Sequence, residues 1–478
     1  MLFNSLSFMA FFVVMVIIYY LLPQRSRWPL LLAGSLYFYA ALRVEYVLLL
    51  IWAAAVAYLA ALGIERARAQ KGRKAILTTG LLLELGTLFI FKYYNFALES
   101  LQPLLDRLSI FDLPSLQWLL PAGLSFFSFS CVSYIVDVYR GKLRAERHLG
   151  RAMLYVAFFP KLLAGPIERA TTFLPQTERV IQFDPWRFTQ GLQIFLWGMF
   201  KKVVIADRLA AIVDAAFQMP TLRPPVQLII AAYFFAFQIY CDFSGYSDMA
   251  IGTAKMLGFD LMENFRRPYL ATSIPEFWSR RWHISLCCWF RDYLYIPLGG
   301  NRVSKARWYM NQMIVFLVSG LWHGANWTFV VWGALNGGYQ VAYYLGAGLR
   351  EKLARVIRLP RKLAAFINWF IVFHLVTLAW VFFRASSVSE AWAILERIVQ
   401  SIPKLPMLLR MYRFNQDFYL SIGLIAVLLL VDAIDEIRPL WERLRTHLAI
   451  RWAVYYAMIL GLVVLGKWAM TEFIYMQF

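Results

Sequence analysis

Two of the five histidines in this chain stand in one stretch, residues 276–327, and each follows a tryptophan: Trp282-His283 and Trp322-His323. His323 breaks an apolar run, with MIVFLVSGL before WHGANW and TFVVWGAL after it. An ionisable ring between two apolar runs is costly unless it faces a cavity or meets a partner. Desolvation there favours the neutral imidazole, the form able to take a proton from a hydroxyl. Gly320 and Gly324 flank the pair, so other backbone or a slender substrate can approach closely. The competing reading is a packed histidine bridging two helices.

His283 lies in SRRWHISLCCWFRDYLYIPLGG, among Trp278, Trp282, Trp289, Tyr293 and Tyr295. Aromatics of this density suit a headgroup boundary. Arg280, Arg281 and Arg291 suit a phosphate or pyrophosphate, although an interfacial helix touching lipid phosphates would read the same way. Gly299, Gly300 and Asn301 read as a turn ending the element. Two aspartates, Asp242 and Asp248 in DFSGYSDMAIGTAKML, are too polar to face lipid. They point into a cavity or pair with nearby arginines in a structural network. His323 and His283 are the catalytic candidates. Trp282, Trp322, Arg281, Arg291, Asp292, Tyr293, Asn326, Asp242 and Asp248 form the candidate substrate- and donor-binding set. His148 and His447 fall in basic loops and read as solvated, and His374 reads as a helix–helix hydrogen bond. No metal ligand set is expected. Cys131, Cys241, Cys287 and Cys288 have neither disulfide nor zinc spacing, and the vicinal pair reads as small apolar filler. No nucleophile elbow, P-loop or HExxH pair occurs.

The elements that must hold these residues are membrane helices. Hydrophobic residues make up 61% of the 478 and charged residues only 16%, with a mean hydropathy of +0.57. Many apolar runs approach the roughly 20 residues that cross about 30 Å of hydrocarbon. Such backbone must satisfy its own hydrogen bonds, so the expected class is all-α and polytopic. About 11–12 spans plus re-entrant and interfacial helices are expected around a central tunnel.

The net charge of +20 sits in short loops between spans, the positive-inside pattern, and not in a nucleic-acid surface. Loop 65–74 (ERARAQKGRK) carries five bases and one acid and should be cytoplasmic, as should 139–151, 350–362 and 436–451. Loop 95–117, with Glu99, Asp106 and Asp112, should be external, as should 385–417, partly as interfacial helix. The first run, 8–22, reads as a retained span with the N-terminus outside. Lys201, Lys202, Asp207 and Arg208 read as an interface mark. Residues 152–167 (AMLYVAFFPKLLAGPI) are apolar but broken by Pro160, Gly165 and Pro166, which predicts a kinked or re-entrant element. One membrane domain over 1–478 is expected, with N-terminal spans (1–151), a catalytic core (152–346) and C-terminal spans (347–478). The apparent lack of inverted repeats argues mildly against a transporter.

With those residues in view, the chain resembles the membrane-bound O-acyltransferase (MBOAT) superfamily, closest to the bacterial branch that O-acetylates alginate. The likeness runs through MLFNS at the start, FKYYNF at 91–96, FPKLLAGPIERA at 159–170, GMFKKVVIADRLA at 198–210 and YCDFSGYSDMAIGTAKMLGF at 240–259. It continues in NFRRPYLATSIPEFWSRRWHISL at 264–286, RDYLYIPLGGNR at 291–302, SGLWHGANWTFVVWG at 319–333 and the final FIYMQF. The family often has a neutral residue where Lys161 stands, so that position is given no role.

The resemblance implies a bacterial inner-membrane enzyme moving an acetyl group from cytoplasmic acetyl-CoA toward an extracytoplasmic polysaccharide. The histidine matching His323 would be catalytic and the one matching His283 a second essential position. No bound cofactor is implied. The implied partners are membrane lipids, a periplasmic or surface SGNH-type transferase or esterase and a polysaccharide biosynthesis complex, with no nucleic acid. Two rival classes stay open: a transporter or flippase of an acylated carrier, and a non-catalytic scaffold of an O-acetylation complex.

Overall fold

In the computed structural model, residues 1–107, 114–437, 447–468 and 473–474 are described. Asp112 of the expected external loop, residues 438–446 of the basic loop 436–451, and all of FIYMQF but Phe473 and Ile474 lie outside them. The described residues are helical with no strand. Six helices are long and apolar enough to cross a membrane: Val44–Arg66, Gln70–Leu104, Pro225–Met256, Arg361–Arg384, Gln416–Ile437 and Leu448–Leu465. Two shorter apolar helices, Leu6–Leu21 and Leu124–Tyr139, accompany them. Among the described residues six is fewer than the eleven or twelve anticipated, and Leu6–Leu21 and Leu124–Tyr139 fall short by length. The apolar stretch 189–206 falls in the helix Pro185–Met199 and the π-helical turn Phe200–Ala206 that follows it.

The chain divides into two compact units, one built chiefly from Met1–Phe195 with Ser247–Met262, the other from Leu196–Tyr246 with Glu263–Ile474. In the first, the proline-broken stretch is a buried, interrupted element. The helix Leu149–Ala157 stops, a short helix Phe159–Leu162 follows, and irregular chain leads on to residue 169. Hydroxyls satisfy the freed backbone: Phe159 N–H donates to Ser35 Oγ at 3.1 Å, and Tyr155 donates to the Glu168 carbonyl at 3.0 Å. Gly165 is required, since a Cβ there would lie 2.4 Å from Lys161 Cα.

In the second unit, Lys201 and Lys202 do not mark an interface as expected. Both are buried. Lys202 bridges Asp207 at 2.8 Å and Asp242 at 2.7 Å, and Lys201 donates to Ser244 at 2.8 Å. Asp207 follows on the next turn and Asp242 comes from the helix Pro225–Met256, so the cluster compensates itself away from water. Asp242 also accepts the Ile474 N–H at 2.8 Å, which pins the C-terminal segment.

Candidate active site

The second unit contains the whole stretch that carries both tryptophan–histidine pairs. Ser273 caps its first helical turn by accepting the Glu276 N–H. The chain widens into a π-helical turn, Phe277–Arg281, and reverses at His283, whose φ is +44°. A non-glycine residue costs about 1–2 kcal/mol in this left-handed region, and such strain gathers at functional sites. Asn264 fixes the reversal, its carbonyl accepting from Ile284 N–H at 2.9 Å and its side-chain oxygen from Ser285 N–H at 3.3 Å.

The helix Ile284–Phe290 and a second π-helical turn, Arg291–Tyr295, lead to the Gly299-Gly300 turn, where both φ values are positive. Asn311 ties that turn to the following helix by donating to the Leu298 and Gly300 carbonyls. This helix, Lys305–His323, starts at the Ser304 cap and ends on His323 itself. The chain returns as Trp327–Leu345, capped by Asn326.

The two helices meet backbone to backbone. A Cβ on Gly320 would lie 2.2 Å from the Phe329 carbonyl oxygen, and one on Gly333 would lie 2.4 Å from that of Phe316. At Gly324 it would strike the Phe329 ring at 2.1 Å. The close approach expected beside His323 is therefore used by the return helix.

His323 and His283 face each other with ring centroids 6.5 Å apart, and both are buried. Trp332 at 4.9 Å, Trp322 at 5.0 Å and Phe383 at 5.3 Å surround His323. Phe243 at 4.6 Å and Trp322 at 5.8 Å surround His283. Phe383 comes from Arg361–Arg384, the third wall of the site. His283 lies outside the six long apolar helices, and burial pushes its pKa down to about 3, so the ring is neutral at physiological pH.

A cavity of about 300 Å³ opens beside the pair, lined by His283, His323, Trp278, Trp282 and Ser319 and, further along, by Gln312, Gln340, Tyr344, Tyr295 and Arg291. Gln312 and His323 are eleven residues apart on one helix, about 16 Å along its axis. The site is thus elongated, with imidazoles at one end. At the other are amides, phenols and one guanidinium, the sole Lys, Arg, Asp or Glu side chain on the lining among the described residues.

Of the candidate binding residues, Trp282 and Arg291 border this cavity. Trp322 packs between the histidines without lining it. Arg281 is turned to structural use, donating to Glu276 at 2.7 Å and Glu436 at 2.8 Å. Arg267 joins this cluster by pairing with Asp435 and Glu436. Asn326 accepts from Thr328 N–H at 2.9 Å and donates to the Ser386 carbonyl at 3.3 Å. Asp292 pairs with Arg291 at 2.8 Å, and Tyr293 packs on Trp289. Asp242 sits in the buried lysine cluster, and Asp248 belongs to the other unit.

His374 differs from its expected role as a helix–helix bond. Its Nδ1 lies 2.7 Å from the Phe370 carbonyl of its own helix. Cys287 and Cys288 both border the cavity, so they are more than filler between helices. Trp278, Gln312, Gln340 and Tyr344 are cavity residues that the sequence reading did not single out. The available signal was an amide inside an apolar run, as at Gln340 in YQVAYYL.

A family model described as membrane-bound O-acyltransferase, MBOAT, matches residues 46–388. The "Probable alginate O-acetylase AlgI" of Azotobacter vinelandii is 41% identical over 398 residues, 82% of this chain and 77% of the relative. The peptidoglycan O-acetyltransferase of Helicobacter pylori is 36% identical over 431 residues, 84% of this chain and 80% of the relative. A more remote relative, the teichoic acid D-alanyltransferase of Bacillus subtilis, is 26% identical over 46% of this chain and 58% of its own length. The matched region holds both histidines and their cavity, and the chain belongs to the membrane-bound O-acyltransferase family as a multi-pass membrane O-acyltransferase.

Proposed function

We propose that this protein takes an acetyl group from acetyl-CoA on the cytoplasmic side of a bacterial inner membrane and delivers it for O-acetylation of an extracytoplasmic polysaccharide. The observation that carries this reading is the cavity, with two imidazoles at one end and Arg291 at the other. Its shape suits a long, thin thioester donor whose phosphates stay near a guanidinium while the acyl carbon reaches His323. Positive-inside reasoning puts the Arg291 end on the cytoplasmic side, because the helix pair there borders NRVSKAR and the basic stretch after Leu345.

His323 acts as general base. It takes the proton of an acceptor hydroxyl as that oxygen attacks the thioester carbonyl, then returns it to the departing thiolate when the C–S bond breaks. The ester and a free thiol are the products, and no external oxidant or reductant is needed. His283, neutral and 6.5 Å away between ring centroids, orients the donor or supports the developing charge. The acceptor is the glycan itself or a serine of an SGNH-type partner, and the N-terminus lies outside.

A transporter would need intramembrane charges such as Asp242, Asp248 and Lys161 to hold its cargo. Asp242 is bound to Lys202, and the Lys161 ammonium rests on the Tyr155 ring 4.4 Å from its centroid. Neither offers a cargo site. In a strain lacking the native gene, wild-type protein should restore O-acetyl groups on the surface glycan, and His323→Ala at equal membrane abundance should not. Equal restoration by both would defeat the reading.

A further inference from the structure

Trp278 and Trp282 both line the histidine cavity, at 7% and 0% exposure. The indole nitrogen of each is buried with no hydrogen-bond partner. An indole N–H donates and does not accept, so each of these two donors is left without an acceptor. Buried donors in native proteins are nearly always paired, and each exception needs a reason.

Crowding holds both rings in place. Trp282 stacks on Phe277 at 5.6 Å and meets Trp380 at 4.9 Å, while Trp278 meets Phe316 at 5.7 Å and Trp332 at 5.5 Å. Trp332 is the ring against which His323 packs, so the base and Trp278 share one wall. The two tryptophans sit four residues apart across the π-helical turn Phe277–Arg281, a distortion often found at functional sites.

We propose that the indole N–H groups of Trp278 and Trp282 form the oxyanion site of the acyl transfer, an assignment that rests on the transferase reading above. When the acceptor oxygen adds to the thioester, the carbonyl π electrons move onto oxygen. The two N–H groups then donate to that oxyanion until the C–S bond breaks and the carbonyl re-forms. Donors oriented before the reaction stabilise such charge strongly. In the resting enzyme they stay unpaired because only the reacting acyl oxygen answers them.

The test replaces each indole by a ring without the N–H, Trp278→Phe and Trp282→Phe, and assays acetyl transfer from acetyl-CoA by the purified full-length protein. The expected result is a kcat loss on the order of 10²–10³-fold for each variant, with the KM for acetyl-CoA within about threefold of wild type and the melting midpoint retained. Trp278→His, which keeps a ring N–H, should recover part of kcat. Full kcat in both phenylalanine variants, or a loss confined to KM or to thermal stability, would overturn the oxyanion assignment alone. Absence of His323-dependent thioester cleavage in the wild-type control would overturn the transferase reading and the assignment together.

Discussion

His323 and His283 differ in how their environments are made. His323 ends a helix and is held by glycine contacts and three aromatic rings. His283 is held by a left-handed backbone turn and the two polar groups of Asn264. His323→Ala should therefore lower kcat by roughly 10²–10⁴-fold, the usual contribution of a general base, with the fold intact by circular dichroism. The burial of His323 was legible from sequence, because a histidine inside an apolar run advertises its own cost, whereas His283 stood out only by the aromatic and basic residues around it. Arg281 was not legible, since a guanidinium beside an aromatic cluster looks the same whether it meets a phosphate or, as here, Glu276 and Glu436. Trp278 was read only as one of many boundary aromatics. What sets it apart is a place on the cavity wall combined with a buried, unpaired indole N–H, which is a property of packing.

The glycine-lined helix pair and the turn before His283 are the elements that set the site. Gly333→Ala would push a methyl into the Phe316 carbonyl. Overpacking of this kind costs about 1–3 kcal/mol, so the variant should melt several degrees lower in detergent and lose activity through displacement of His323. The turn has its own acid limit. Burial alone would raise the Glu276 pKa, but the Thr272 N–H and the Arg281 guanidinium hold it below the ordinary 4.5. The stability this adds is complete above that ordinary value and is lost as pH falls through the lowered one. Thermal melts from pH 7 to pH 3 should show a loss below about pH 4.5 that is smaller in Glu276→Gln. The alternation of apolar runs and basic loops made the helices readable. Their lengths were less so, because polar side chains such as Lys202 are buried by partners remote in sequence.

Across the second unit, the Lys202–Asp207–Asp242 cluster joins the π-helical turn, the long helix Pro225–Met256 and the C-terminal segment through Ile474. Lys202 is the shared member, and removing it would leave buried carboxylates uncompensated, at a cost of about 3–5 kcal/mol. Lys202→Met should reduce the level of folded protein in membranes, and the added change Asp242→Asn should recover part of it. The membrane class was plain from composition, and the family likeness from motifs spread over most of the chain. The division into two compact units was not, because the residues that separate them lie within continuous helices such as Pro225–Met256. The central claim is that this membrane protein performs acyl chemistry at His323. Purified protein mixed with acetyl-CoA labelled in the acetyl group, followed over a single turnover with an acceptor, tests it most directly. Thioester cleavage in wild type and its loss in His323→Ala is the predicted result; cleavage at equal rates in both proteins, or acetyl-CoA crossing reconstituted vesicles uncleaved, would contradict it.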